Sequence, residues 1–293
     1  MNFKEEFSKY QDYINIILKK YIGASNLQEK KLNDSMRYSL LAGGKRIRPI
    51  LMINTYKLFK EDFEKCIPYF VAMEMVHNFS LIHDDLPAID NDDIRHGKPT
   101  NHKAFGESTA ILAGDGLLNY AYMVISDDLI KECDNYKLKA LNEFSKEVYN
   151  MIKGEFIDIE SENKDIPVEL LQYMHKNKTG ALIKESVRIG AILAKANEDD
   201  IKTLTKYAEN IGLAFQIKDD ILSEIGDEKI MGKPVHNDIR KNKSTFVTKY
   251  GPKKAQEILE NIINESIDIL RNSFGDKAVF LVELAKYIKD REK

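Results

Sequence analysis

Apolar residues recur along this chain in steps of three and four. Phe7, Tyr10, Ile14, Leu18 and Tyr21 form one stripe, and Ile50, Ile53, Tyr56 and Phe59 form a second. Phe70, Met73, Val76, His77, Ser80, Leu81 and Asp84 carry the same rhythm through a third. That period marks one face of a helix. Similar runs cover 112–130, 138–159, 182–196, 201–225, 255–270 and 279–288. Strand-like alternation between turn signals is nearly absent. Breakers fall at Gly43-Gly44, Pro68, Pro87, Gly97 to Pro99, Gly106, Pro167, Gly232 to Pro234 and Gly251-Pro252. No Pro/Gly/Ser linker, internal repeat or low-complexity stretch divides the chain. A length prior leans toward two domains, but the pattern predicts one all-α domain of about ten helices over residues 1–293.

Composition narrows the function classes. Of 293 residues, 44 are Lys or Arg and 47 are Asp or Glu, a net charge of -3. That balance leaves no overall footprint for nucleic acid or an anionic membrane surface. No run approaches the ~20 apolar residues of a membrane span. Charges within 1–21 interrupt any signal-peptide core. Cys66 and Cys133 form neither a CxxC pair nor a zinc spacing, and read as free buried thiols. A cytoplasmic protein is expected.

The candidate chemistry lies in two acidic segments. Asp84-Asp85-Leu86-Pro87-Ala88-Ile89-Asp90 and Asp219-Asp220-Ile221-Leu222 each end an apolar run. His77, Ser80, Leu81 and Asp84 share one helix face, and Pro87 ends the helix near Asp84 and Asp85. Carboxylates at a helix C-terminus oppose the macrodipole, so something cationic must hold them. Hard oxygen donors of this kind suit Mg²⁺ together with substrate phosphates. The plainer alternative for each segment is a solvated acidic helix end. Gly43-Gly44-Lys45-Arg46-Ile47-Arg48-Pro49 places three cations after a glycine pair, and reads either as a basic turn or as a diphosphate grip. Arg95, Lys178-Thr179-Gly180, Lys233 and Lys243-Ser244-Thr245 are further basic candidates.

The ordered set resembles the trans-isoprenyl diphosphate synthases, the farnesyl and geranylgeranyl diphosphate synthase group. The likeness runs from about Leu40 to Thr245. It comprises Gly43 to Pro49, Glu74-Met75-Val76-His77, Ser80 to Pro87, Gly97-Lys98-Pro99-Thr100, Gly114-Asp115, Lys178-Thr179-Gly180, Phe215 to Asp220 and Gly232-Lys233-Pro234. The resemblance implies a helical isoprenoid synthase bundle around a central cavity, usually homodimeric. Several Mg²⁺ ions would tie an allylic diphosphate to both acidic motifs. By that match Asp84 and Asp90, with Asp85 in support, hold metal in one motif, and Asp219, with Asp220 beside it, in the other. Lys45, Arg48 and His77 would bind isopentenyl diphosphate. Arg95, Lys178, Thr179, Gln216 and Lys233 would contact the allylic substrate, with Lys243 a further basic candidate. Asp84, Asp85, Asp90, Asp219 and Lys178 are the implied catalytic set. Phe79, five residues before the first Asp, would limit product length and points to farnesyl diphosphate, although Ser80 aligns better with Asp84 on an ideal helix. Geranylgeranyl diphosphate is the alternative product.

The chain departs from the family pattern at three positions. His96 follows Arg95 where a second arginine is usual, which makes that grip weaker and pH-dependent. Ser223 stands where the second motif usually has a third Asp, and His236 where a Gly is usual. Among rival functions, a terpene cyclase would not need Lys45, Arg48 and His77. His83-Asp84 superficially fits a helical His-Asp phosphohydrolase, but the further upstream histidines it would need are missing, the chain's first being His77. A non-catalytic partner subunit is not favoured while Asp84 and Asp219 are present.

Overall fold

The computed structural model of the protein describes residues 2–225 and 244–292. Lys233, His236 and Lys243, singled out above, lie outside the described residues. Among the described residues are thirteen α-helices. They are α1 (Phe3–Tyr21), α2 (Lys30–Leu40), α3 (Ile47–Tyr56), α4 (Ile67–Asp84), α5 (Asn101–Phe105), α6 (Glu107–Lys131) and α7 (Asn135–Glu160). Then follow α8 (Val168–Lys178), α9 (Gly180–Leu193), α10 (Glu198–Ile225), α11 (Phe246–Tyr250), α12 (Pro252–Phe274) and α13 (Val279–Asp290). The described strands are β1 (Ile94–Arg95) and β2 (Lys98–Pro99), an antiparallel pair with Arg95 opposite Lys98. The all-α expectation holds, and no described helix is long and apolar enough to cross a membrane.

The helix ends follow from local chemistry. Asn2 caps α1, whose first turn carries Glu5 and Glu6 and whose last carries Lys19 and Lys20, complementing the helix dipole. Pro68 opens α4, where a missing N–H costs nothing. Thr245 and Thr248 form a capping box at α11. Four helices escaped the periodicity argument: α2, α5, α8 and α11. α2 is rich in Lys, Asn, Asp and Ser and buries only Ser35 and Leu40, so it shows no apolar stripe. α5 and α11 are each one turn or so long. The stripe through Phe59 ends early, because α3 stops at Tyr56 and Phe59 sits in the turn after it.

The chain forms two compact units. The first comprises Met1–Ile53 and Asp62–Leu138, the second Asn54–Glu61 and Lys139–Lys293. In the first, α4 is the core helix, packed mainly on α6 with α1 and α2 also against it. Tyr69, Phe70, Val71, Ala72, Met73, Met75 and Val76 are all fully buried, so α4 is apolar around most of its girth. In the second, α10 packs on α9 and α12, and α13 lies on α12. Ion pairs fasten α7 to α9: Lys184 to Glu147 at 2.7 Å, and Arg188 to Glu143 through two guanidinium nitrogens.

Candidate active site

In the first unit, α4 has one open face. From position 69 to 82 only His77, Ser80 and Leu81 are not buried, and Asp84 extends this line. The shared face expected from spacing is therefore the accessible one. α4 ends at Asp84, with Asp85 as its C-cap. The loop beyond folds back, and the Asp90 N–H donates to the Asp84 carbonyl at 2.9 Å. That bond returns Asp90 to the helix end.

The hairpin then delivers a cation to the acids. His96 and Gly97 occupy the turn with φ of 51° and 73°, the two positive φ values that a two-residue turn between right-twisted strands demands. Arg95 enters from β1. Its Nε lies 2.8 and 2.9 Å from the two Asp85 oxygens, and its Nη2 donates to Asp84 Oδ2 at 3.3 Å. Asp85 is buried, and burial pushes its carboxyl up to about 6 against the pull of Arg95. The cation demanded by acids at a helix C-terminus is thus present. A cleft with about 350 Å³ of empty space lies against this cluster, lined by Leu81, Asp85, Arg95, His96 and Asn101 among others.

The glycine-rich loop separates its three cations. Gly43 and Gly44 have φ of 103° and 120°, which only glycine takes readily. Gln11 of α1 donates to the Gly44 and Lys45 carbonyls at 3.3 and 3.2 Å. Arg46 turns inward. Its Nη1 donates to Glu74 Oε2 at 2.6 Å, its Nη2 to the Leu40 carbonyl at 2.8 Å and its Nε to Asn15 Oδ1 at 3.0 Å. Arg46 and Glu74 side chains are each only 3% exposed. Arg46 is therefore a strut, whereas Lys45 and Arg48 are partly exposed. His77 follows Glu74 by one turn. Desolvation and the charges of Arg48, Arg46, Arg95 and His96 hold His77 well below its ordinary value, so it is neutral. Desolvation, Arg95, Arg46 and Lys45 likewise lower His96. Lowered in this way, His96 carries less charge than an ordinary histidine, which further weakens the grip that a second arginine would give.

Two residues on α4 have clear packing roles. Phe79 is 8% exposed, and its ring meets His83 edge-on at 4.9 Å. Ser80, on the open face, donates to the His77 carbonyl. Gly114 explains its own motif: a Cβ there would lie 2.2 Å from His83 Nε2.

In the second unit, the elbow Lys178-Thr179-Gly180 joins α8 to α9. Two glycines clamp it. A Cβ on Gly154 of α7 would lie 2.1 Å from the Lys178 nitrogen, and one on Gly212 of α10 would lie 2.9 Å from the Gly180 Cα. Lys178 Nζ bridges Asp158 at 2.6 Å and Glu155 at 3.0 Å. Gln216 follows Gly212 by one turn and is partly exposed, as are Thr179 and Asp219. Asp219 pairs with Arg291 at 2.5 Å. Its neighbour Asp220 turns the other way: it is buried and accepts the Phe246 N–H at 2.8 Å, holding the start of α11. Ser223 is also buried.

Residues 29–274 match the family model for polyprenyl synthetases. The chain belongs to the polyprenyl synthetase family. It is 43% identical over 251 residues to the farnesyl diphosphate synthase of Geobacillus stearothermophilus, covering 85% of this chain and 84% of that one. It is 42% identical over 261 residues to a geranylgeranyl diphosphate synthase of Cyanophora paradoxa, covering 88% and 87%. In structure it is similar to the geranylgeranyl pyrophosphate synthetase of Pyrococcus horikoshii, with a TM-score of 0.89 at 31% identity over the whole of both chains.

Against this polyprenyl synthetase background, the residues named from sequence fall into two groups within the described chain. Lys45, Arg48, His77, Asp84, Asp85, Asp90, Arg95 and His96 sit in the first unit, and Lys178, Thr179, Gln216, Asp219 and Asp220 in the second. Sequence reasoning passed over Glu74, Glu155, Asp158 and Arg291 as site partners. Glu74 stood inside a quoted motif, but nothing in its spacing told of Arg46. The inward turn of Asp220 did have a signal: it lies on the buried stripe Ala214, Ile217, Ile221. Cys133 is exposed rather than buried, because it sits in the loop between α6 and α7.

Proposed function

We infer that the chain is a prenyltransferase that joins isopentenyl diphosphate head-to-tail to dimethylallyl and geranyl diphosphate, making farnesyl diphosphate. The single observation that carries this is the family match over residues 29–274, with a relative named farnesyl diphosphate synthase at 43% identity. The Cyanophora relative favours geranylgeranyl diphosphate as a second reading. The bulk of Phe79 on α4 speaks for the shorter product. Residues 1–293 would work as one catalytic domain.

The donor set fits Mg²⁺. Asp84, Asp85 and Asp90 offer hard carboxylate oxygens in the first unit and Asp219 does so in the second. Each motif already attracts a cation, Arg95 in one and Arg291 in the other. Asp220, beside Asp219, also holds the start of α11 through one of its oxygens. Bound Mg²⁺ supplies Lewis-acid charge for a departing diphosphate. The chain's own groups do the rest. Lys45, Arg48 and neutral His77 bind the diphosphate of isopentenyl diphosphate, the first two by charge and His77 by a hydrogen bond. Arg95, Lys178, Thr179 and Gln216 hold the allylic diphosphate. Apolar neighbours of α4 exclude water from the allylic cation. The proton lost at the end goes to the departing diphosphate, so no tuned side-chain base is required.

We read the working form as a homodimer in the cytoplasm. Tyr149, Ile152, Phe156 and Ile159 step along α7 by three and four, are all exposed, and extend a line that begins at exposed Leu138. That is the spacing of a helix-pairing seam, and a second copy of α7 is its natural partner. Free thiols at Cys66 and Cys133 suit a reducing compartment.

The test is product analysis. The purified protein is incubated with isopentenyl diphosphate, Mg²⁺ and, separately, dimethylallyl, geranyl or farnesyl diphosphate. Dephosphorylated products are then separated by chromatography. Farnesol from the two shorter starters supports the reading. Geranylgeraniol keeps the reaction and replaces the product, cyclic hydrocarbons point to a cyclase, and no turnover with any starter removes the assignment.

A further inference from the structure

The residues that follow α13 reach the second acidic motif. The Arg291 side chain is 4% exposed, against 42% for Asp219. Arg291 Nη2 donates to Asp219 Oδ1 at 2.5 Å and to the Phe215 carbonyl at 3.0 Å. Its guanidinium lies 4.0 Å from the centre of the Phe215 ring. Phe215 and Asp219 are one turn apart, so all three contacts fall on a single face of α10. Arg291 Nε is buried and has no hydrogen-bond partner among the described residues. Asp219 lies near the C-terminal end of α10, where the helix dipole disfavours a carboxylate. Arg291 supplies the compensating charge.

We propose that Arg291 is the resident counter-cation of Asp219, that a divalent metal displaces it, and that metal loading at the second motif therefore loosens the chain after α13. The inference rests on the reading of Asp219 as a metal-binding carboxylate given above. A divalent ion on Asp219 repels the nearby guanidinium and draws away the carboxylate charge that holds it, so the two compete for the same group. Metal therefore competes with Arg291 for Asp219, and the strength of this ion pair sets part of the metal affinity. Losing Asp219 leaves Arg291 its ring and carbonyl contacts with Phe215, so displacement is partial rather than a wholesale unfolding of the end of the chain. On this account Arg291 is a positioning residue that acts through Asp219.

The test needs no turnover. Mg²⁺ with inorganic diphosphate is titrated calorimetrically into the whole protein, into Arg291→Ala, into Arg291→Lys and into Asp219→Asn. Hydrogen exchange of the peptide spanning 286–292 is followed in parallel. Removal of Arg291 should tighten binding about two- to five-fold, the scale of a partly exposed ion pair, with Arg291→Lys close to the parent. Exchange in 286–292 should speed up when the parent takes Mg²⁺ and diphosphate, and should be fast in Arg291→Ala throughout. Equal or weaker binding by Arg291→Ala, or slowed exchange on loading, would overturn the proposal. Asp219→Asn separates the two levels. If it binds as well as the parent, Asp219 is no metal ligand and both readings fall. If it binds more weakly while Arg291→Ala matches the parent, only the role of Arg291 is lost.

Discussion

Replacing Gly154 by alanine should damage catalysis through the backbone of Lys178. The added Cβ would stand 2.1 Å from the Lys178 nitrogen, 2.6 Å from its Cα and 2.6 Å from the Asn177 carbonyl carbon. Ordinary contact begins at 3.4 Å, so the helices must part by about 1.3 Å. The obstacle is backbone and cannot swing aside like the end of a side chain. Two attachments resist the shift: α7 is tied to α9 by the Lys184 and Arg188 ion pairs, and Gly212 presses the far side of the elbow at Gly180. The strain therefore falls on the elbow. Lys178 would lose its 2.6 Å bond to Asp158, and its ammonium would move by a distance comparable to the overlap. Misplacing a substrate-positioning group by about 1 Å costs on the order of 100-fold in rate. Overpacking adds a stability loss of about 1–3 kcal/mol. The assay is kcat/KM with geranyl and isopentenyl diphosphates alongside thermal melting. Gly23→Ala is the control, because nothing lies within 4 Å of a Cβ there. If Gly154→Ala keeps kcat/KM within two-fold of the parent and melts at the same temperature, the close approach does not control Lys178.

Three further outcomes can be checked. His175 is buried against Phe246, and burial pushes it down from 6.5 to about 3, opposed by Asp158 and reinforced by Lys178. The unfolded chain then takes up the proton first, so stability is intact above about pH 6.5 and is lost as pH falls toward 3. The loss reaches about 3 kcal/mol by pH 4.5, and urea melts at pH 7 and 4.5 should show it shrinking in His175→Gln; an unchanged loss would rule His175 out as its source. Glu74→Ala should cost about 3–5 kcal/mol by stranding buried Arg46. The pair Arg46→Met with Glu74→Leu should restore most of that in urea melts yet raise KM for isopentenyl diphosphate, because the loop bearing Lys45 and Arg48 loses its strut; an unaltered KM would confine the pair to stability. Phe79→Ala should lengthen the product, read by chromatography of the alcohols, and an unchanged spectrum would limit Phe79 to its packing on His83.

The parts of this protein that were legible in its sequence are those in which residue type and local spacing suffice. Asp84 and Asp85 are marked by an apolar helix running into Pro87, and a break in the helical pattern by Gly97 to Pro99. α4 betrays its open face because His77, Ser80 and Asp84 lie on one stripe of a largely apolar helix, although Glu74 and Asn78 are polar and buried. The illegible parts depend on which element packs against which. Arg46 sits in a run of three cations that look alike, and only Glu74, Leu40 and Asn15 together distinguish it as a strut. Gly154 and Gly212 look like two weak points in good helices until the elbow between them is seen. Arg291 has no local signature at all, since its meaning comes from Asp219 and Phe215, more than seventy residues earlier. Asp219 and Asp220 are the instructive pair. Adjacent residues on a helix point about 100° apart, so two neighbouring carboxylates can face different surroundings. The buried stripe through Ile217 and Ile221 takes Asp220 inward to α11 and leaves Asp219 to the solvent side, where a cation can reach it. The apolar positions around a doubled acid at a helix end thus tell which carboxylate turns inward to anchor a neighbouring helix and which stays open to a cation.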